Sequence, residues 1–115
     1  MTNTEINKQL AKAQKMADKN QSRDLTLIIC NDGDIYRQSI QPTIANLQKK
    51  IKKGIFEPTQ AIQAFYNIVL SALKNPRFSR YYTYNIKMVD VPTRYDTAVQ
   101  VAEHFEDEIF EIEEA

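Results

Sequence analysis

From Leu25 to Ile51 an apolar stripe recurs with a period near 3.6 residues, through Leu25, Ile28 and Ile29, Tyr36, Ile40, Ile44, Leu47 and Ile51. Side chains at that spacing line one side of an α-helix, and a helix with an apolar side must bury it against other elements. The stripe therefore points to a helical framework before anything else is read. Its single polar interruption is Asp32, followed by Gly33, where a break or kink is expected. Pro42 adds a second bend unless the helix restarts there, because proline lacks a backbone donor and crowds the preceding turn. The run Leu25–Cys30 also admits another reading, a short buried strand stopped by the Asn31-Asp32-Gly33 turn signal. The helix is preferred because it continues the stripe.

The rest of the chain divides by its punctuation. Thr2 and Glu5 have capping-box spacing, and Ile6, Leu10, Ala13 and Ala17 follow at helical intervals, so residues 4–19 read as an amphipathic helix. Lys8, Lys12, Lys15 and Lys19 form a stripe on its opposite side, the pattern of a solvated face. Lys49, Lys50, Lys52 and Lys53 stand before Gly54, which suits a helix end: cations meet the negative pole of the dipole and glycine takes the C′ position. Glu57-Pro58-Thr59 opens a helix with a broad apolar face, Ala61, Ile62, Phe65, Ile68, Val69, Ala72 and Leu73, stopped at Asn75-Pro76. Between Arg77 and Val91, Tyr82, Tyr84, Ile86 and Met88 alternate with polar residues at the two-residue period of a strand. Such a strand needs a partner, and residues 25–30 are the candidate to pair with 82–90. Pro92-Thr93 starts a last helix with Ala98, Val101, Ala102, Phe105, Ile109 and Ile112 on one side.

The expected fold is thus mainly α: one domain over residues 1–115, a small bundle of about four helices, with the 25–30/82–90 strand pair as an optional minor element. Residues 1–20 and 106–115 are polar enough to fray or to be ordered by a partner.

Zero formal net charge hides a segregation. Residues 1–94 carry all 15 Lys and Arg against 7 acids, a surplus of +8, whereas residues 95–115 carry 8 acids and no base. A basic body with an acidic end speaks of partners more than of fold. The longest apolar runs fall far short of the roughly 20 residues that span a bilayer. One cysteine, Cys30, cannot pair within the chain, and MTNTEINKQLAKAQK lacks an apolar signal region. Both features suit a cytoplasmic protein.

The segment LIICNDGDIYRQSIQPTIANLQKKIKKGIFEPTQAIQAF carries an LIICND block (Leu27–Asp32), Tyr36, Pro42, the Asn46–Lys50 helix end, Gly54 and Ala61. In these features it resembles a family of small uncharacterised proteins found in phages and prophage regions. The likeness covers the middle third of the chain. It implies a mobile-element origin, with the host cytoplasm as the place of action, and transfers no activity. The lysine-rich first helix and the long acidic end are departures from that pattern.

Few residue groups suggest chemistry. Asp32-Gly33-Asp34 resembles the start of a calcium loop, but Tyr36, Gln38 and Thr43 occupy the fifth, seventh and twelfth positions, where oxygen ligands and a glutamate are needed. An Asp capping the helix from Ile35 is the simpler reading. Cys30 and His104 lack a catalytic neighbourhood, and two glycines, Gly33 and Gly54, do not build a glycine-rich phosphate cradle. No catalytic residue, metal or cofactor is expected.

Two binding surfaces stand out instead. The acidic end, EHFEDEIFEIEEA, interleaves carboxylates with apolar side chains, and Phe110 lies off the main stripe in the manner of an exposed anchor. Glu103, Glu106, Asp107, Glu108, Phe110 and Glu111 are its candidate contacts with a host protein or complex. The alternative is a nucleic-acid surface made from Lys49, Lys50, Lys52, Lys53, Arg77, Arg80 and Tyr81, with the acidic end as an autoinhibitory brake. Pairing of oppositely charged regions between copies would make a homo-oligomer.

Overall fold

The computed structural model describes residues 2–111, so Ile112, assigned above to the apolar side of the last helix, lies outside the described residues. Within them the regular structure is all helical: α1 (Asn3–Met16), α2 (Lys19–Asn31), α3 (residues 33–52), α4 (Pro58–Lys74), α5 (Pro76–Tyr82), α6 (Val91–His104) and α7 (Glu106–Phe110). The all-helical class follows from the apolar periodicity, but the number of helices does not. Several apolar stripes are cut by residues that end one helix and start the next. Asp32 leaves helical geometry at the end of α2 and accepts from the Ile35 N–H at the start of α3; Asn75 does the same between α4 and α5, accepting from the Arg77 N–H. Expectation and structure thus share the stripes and differ in the segmentation, seven helices against about four.

The capping expected at the N-terminus is present: the Thr2 hydroxyl accepts from the Glu5 N–H at 3.2 Å. α3 is continuous from Gly33 to Lys52 but widens to a π-helical turn over Tyr36–Ile40, closed by Gln41 N–H to the Tyr36 carbonyl. Pro42 lies one residue beyond. A proline there would press on the carbonyl four residues back, and the wider turn relieves that pressure while only one donor is lost. The bend expected at Pro42 is therefore absorbed inside one helix.

The pairing of residues 25–30 with 82–90 as strands is overturned. Residues 25–30 lie inside α2, where their N–H groups serve the helix, and the described residues contain no strand. Residues 76–82 are helical because Asn75 caps and Pro76 takes the first turn, which leaves Phe78 and Tyr82 one turn apart with their rings 4.8 Å from each other. The alternation that resembled a strand has another origin. Tyr82, Tyr84 and Ile86 all pack inward as a loop crosses the body, and the Arg94 guanidinium pins that loop by donating to the carbonyls of Ile86 and Val89, each at 2.8 Å.

α6 is the hub, packed on α1, α2 and α4. Its Tyr95, Ala98 and Val101 are fully or almost fully buried, and Tyr95 stacks on Tyr66 of α4 with centroids 4.0 Å apart. α2 adds Leu25 and Ile29, α3 adds Ile40, Ile44 and Leu47, and α4 adds Phe65, Val69 and Leu73 to one continuous core. Where α2 meets α6 the buried side chains are small hydroxyls: the Thr93 hydroxyl accepts from the Asp18 N–H, and Ser22 accepts from Gln100 at 2.8 Å. Short side chains let the two backbones approach while every buried donor and acceptor there keeps a partner.

Candidate functional site

The acidic end is built onto the body by one apolar side chain and a few polar ties. Phe105 ends α6 and begins α7, and Ile109, four residues on, is 4% exposed in the core. The Tyr36 hydroxyl donates to Glu108, a contact that raises the tyrosine's pKa above its ordinary value. From α3, Gln48 Nε2 donates to the Glu108 carbonyl at 3.0 Å and reaches that of Glu111 at 3.5 Å. With Ile109 inward, the helical spacing turns Glu106, Asp107 and Phe110 outward together, and Glu111 and Glu103 are exposed beside them. Phe110 is 50% exposed and meets Phe56 edge-to-face at 5.4 Å, next to Ile55, which is 60% exposed. The result is a half-open aromatic pair flanked by carboxylates on a helix fixed to the core.

The basic candidates are divided. Lys49, Lys50 and Lys52 occupy the last turns of α3 and Lys53 its C-cap, whereas Arg77, Arg80 and Tyr81 lie on α5, beside the first turn of that same helix. At 1.5 Å per residue, the α3 segment between Asp34 and Lys49 separates them by about 22 Å. Lys49, Lys52 and Lys53 are exposed and Lys50 half-buried. Among the described residues no ion pair joins this cluster to the carboxylates of α7; the pairs present are Lys19–Asp96, Arg37–Asp34 and Arg77–Asp34.

A second site comes from residues read in the sequence as a helix cap and, at Arg77 and Tyr81, as part of the alternative nucleic-acid surface. The first turns of α3, the C-terminal part of α4 and one side of α5 enclose an open cleft of about 490 Å³. Asp34 bridges two arginines across it, Arg37 Nη2 at 2.6 Å and Arg77 Nη2 at 3.5 Å. Asp32 stands alongside, accepting from the Ile35 N–H at 2.9 Å and the Tyr82 hydroxyl at 2.6 Å. Burial by itself would raise the Asp32 pKa, but the bonds from Tyr82 and from the backbone of Ile35 and Asp34, with the Arg77 charge, hold it below the ordinary carboxylate value. The same bond, with burial and the neighbouring acids, pushes the Tyr82 hydroxyl up to about 12. Tyr81 stands at the rim, 78% exposed, its ring T-shaped against Tyr82 at 4.8 Å.

The sequence reads either Asp32 or Asp34 as the cap of the helix from Ile35 and assigns Arg37 no role. The cap is real, and the Asp34–Arg37 spacing of three was a visible pairing signal. Nothing local announced that residues more than forty positions away would complete the cleft.

Cys30 is half-buried, and burial pushes its thiol up to about 11, so it is protonated at neutral pH. His104 sits exposed at the end of α6 with its ring against Phe105 at 4.8 Å. Among the described residues no group of three or more His, Cys, Asp or Glu gathers where a metal ion could be held, and no helix is long and apolar enough to cross a membrane. No family model, curated protein or solved structure matches this chain.

Proposed function

We propose that the chain acts by binding, without catalysis, as a small mobile-element accessory protein that occupies and inhibits or regulates a host protein complex through α7. The observation that carries this reading is the outward grouping of Glu106, Asp107 and Phe110 on a helix whose other side is anchored by Ile109. An aromatic centre with a charged rim is the composition of a protein interface, and the carboxylates fit a basic partner surface. Basic surfaces of that kind belong to proteins that handle nucleic acid, such as CRISPR or restriction defence complexes. The resemblance of residues 27–65 to phage and prophage proteins supports placing the partner in a host cell. The test is affinity capture from host lysate with and without nuclease. A protein retained after nuclease treatment, and lost with Glu106→Lys/Asp107→Lys or with Phe110→Ala, is the expected result. Capture unchanged by these substitutions overturns the reading.

One observation favours the rival in which Lys49, Lys50, Lys52 and Lys53 meet phosphates: α7 is tied to Gln48, one residue from that cluster, where its carboxylates would act as a brake. Deleting residues 103–115 should then raise affinity for DNA or RNA, each phosphate contact adding roughly 0.9 to the slope of log affinity on log salt. Absence of binding at low salt removes this rival.

A further inference from the structure

The cleft between α3, α4 and α5 takes no part in the acidic surface, yet its groups are arranged for a ligand. Arg37 and Arg77 come from different helices and reach the two oxygens of one carboxylate, Asp34. That shared contact shows that a single anion lies within reach of both guanidinium groups. Each guanidinium has five N–H donors and is largely exposed, so most of its donors are uncommitted. A phosphoryl group offers three acceptor oxygens and more charge than Asp34, and planar guanidinium forks match it.

Three further features narrow the ligand. Gly33 brings the Arg37 guanidinium close over bare backbone: a Cβ there would stand 3.2 Å from Nη1. Tyr81, braced by Tyr82, presents an open aromatic face at the rim. Asp32, fixed as a cap, retains lone pairs for a donor, so the cleft favours a molecule that carries a donor as well as an anion. The volume lies within the roughly 300–1,000 Å³ usual for small-molecule sites.

We propose that this cleft binds a nucleoside phosphate, with the phosphate on the outward N–H donors of Arg37 and Arg77 that Asp34 leaves free, the base stacked on Tyr81, and a sugar hydroxyl or exocyclic amine donating to Asp32. The phosphate source is either a free mononucleotide or one nucleotide of a single strand, since both present an anion, a flat ring and donors. The proposal is independent of the α7 interface.

Isothermal titration of the full chain with adenosine 5′-monophosphate, adenosine, inorganic phosphate and a short single-stranded oligodeoxyadenylate tests it. Binding of the monophosphate or the oligonucleotide is expected below about 1 mM, with adenosine and phosphate each at least about tenfold weaker. Arg37→Ala, Arg77→Ala and Tyr81→Ala should each weaken binding by about tenfold or more. All three side chains are largely exposed, so far-UV circular dichroism should be unchanged. Arg77→Lys keeps the charge and loses the fork, and should weaken binding. A monophosphate that binds as tightly as the oligonucleotide identifies a free nucleotide, and a preference for the oligonucleotide identifies a strand. No saturation by either ligand, binding insensitive to both arginine substitutions, or phosphate alone matching the monophosphate overturns the proposal.

Discussion

Gly54 and Thr83 occupy the same left-handed backbone region, with φ of 71° and 63°, and only one of them is glycine. At Gly54, after the last turn of α3, the backbone closes a C-terminal cap: its N–H donates to the Ile51 carbonyl and that of Ile55 to the Lys50 carbonyl. A Cβ at Gly54 would meet nothing within 4 Å, so Gly54→Ala tests the backbone alone and should cost about 1 kcal/mol in urea unfolding. Thr83 ends α5 in a conformation that a β-branched residue adopts only under strain. Thr83→Gly should therefore gain about 0.5 kcal/mol by the same measurement, the relief being partly offset by a more flexible unfolded chain. The glycine at 54 was readable from the lysine-rich helix end. Thr83 was not, because nothing about threonine signals a positive φ.

At the scale of elements, α7 shows how little holds a functional surface in place. Five residues do not form a stable helix alone, so its structure rests on Ile109 in the core and on the ties to Tyr36 and Gln48. Ile109→Ala should cost about 2–4 kcal/mol in chemical unfolding and weaken partner capture even though every carboxylate remains. Tyr36→Phe removes only a polar tie and should lower stability less than Ile109→Ala in the same measurement. If Ile109→Ala left both stability and amide-exchange protection of α7 unchanged, the helix would not be held as described. The same logic explains the lost strand pair. Period-2 alternation over residues 82–88 is a strand signal, but Tyr82, Tyr84 and Ile86 dip inward from a helix end and an irregular loop, while Met88 stays exposed. What distinguishes the two is a partner's free backbone groups, and over residues 25–30 the N–H groups of α2 are already committed to its own helix.

Across the whole molecule, tyrosine–carboxylate clasps join segments far apart in sequence: Tyr82 to Asp32, Tyr84 to Asp24 and Tyr36 to Glu108. The first two strap α5 and the following loop onto α2 and the start of α3. Tyr82 and Tyr84 are each pushed up to about 12, chiefly by donating to a carboxylate, from an ordinary value of 10.0. A folded-state pKa above the unfolded one means the protonated form favours folding. This contribution is complete below about pH 10 and is lost as pH rises through about 12. Asp32, Asp90 and Asp96 are shifted the other way, so their contribution is present above about pH 4, the unfolded carboxylate value, and is lost as pH falls through their lowered folded values. Thermal melts across pH should show a plateau between these limits, and Tyr82→Phe/Tyr84→Phe should reduce the alkaline fall. An unchanged alkaline limb would show that the clasps do not couple to folding.

By itself the sequence determined what depends on neighbours along the chain. The apolar period dictated helices, the Asp32, Asn75 and Gly54 signals marked their ends, and the apolar face of residues 61–73 identified the element that fills the core. These are legible because helix hydrogen bonds and caps close within about four residues. The tertiary structure alone decided which charges meet. Arg37 and Arg77 converge on Asp34, Tyr36 reaches Glu108, and the lysine cluster stands a helix-length away from the α5 arginines with which it had been grouped. Those outcomes follow from how the stripes of α3, α4 and α6 pack, a global minimisation of exposed apolar surface that no local pattern encodes.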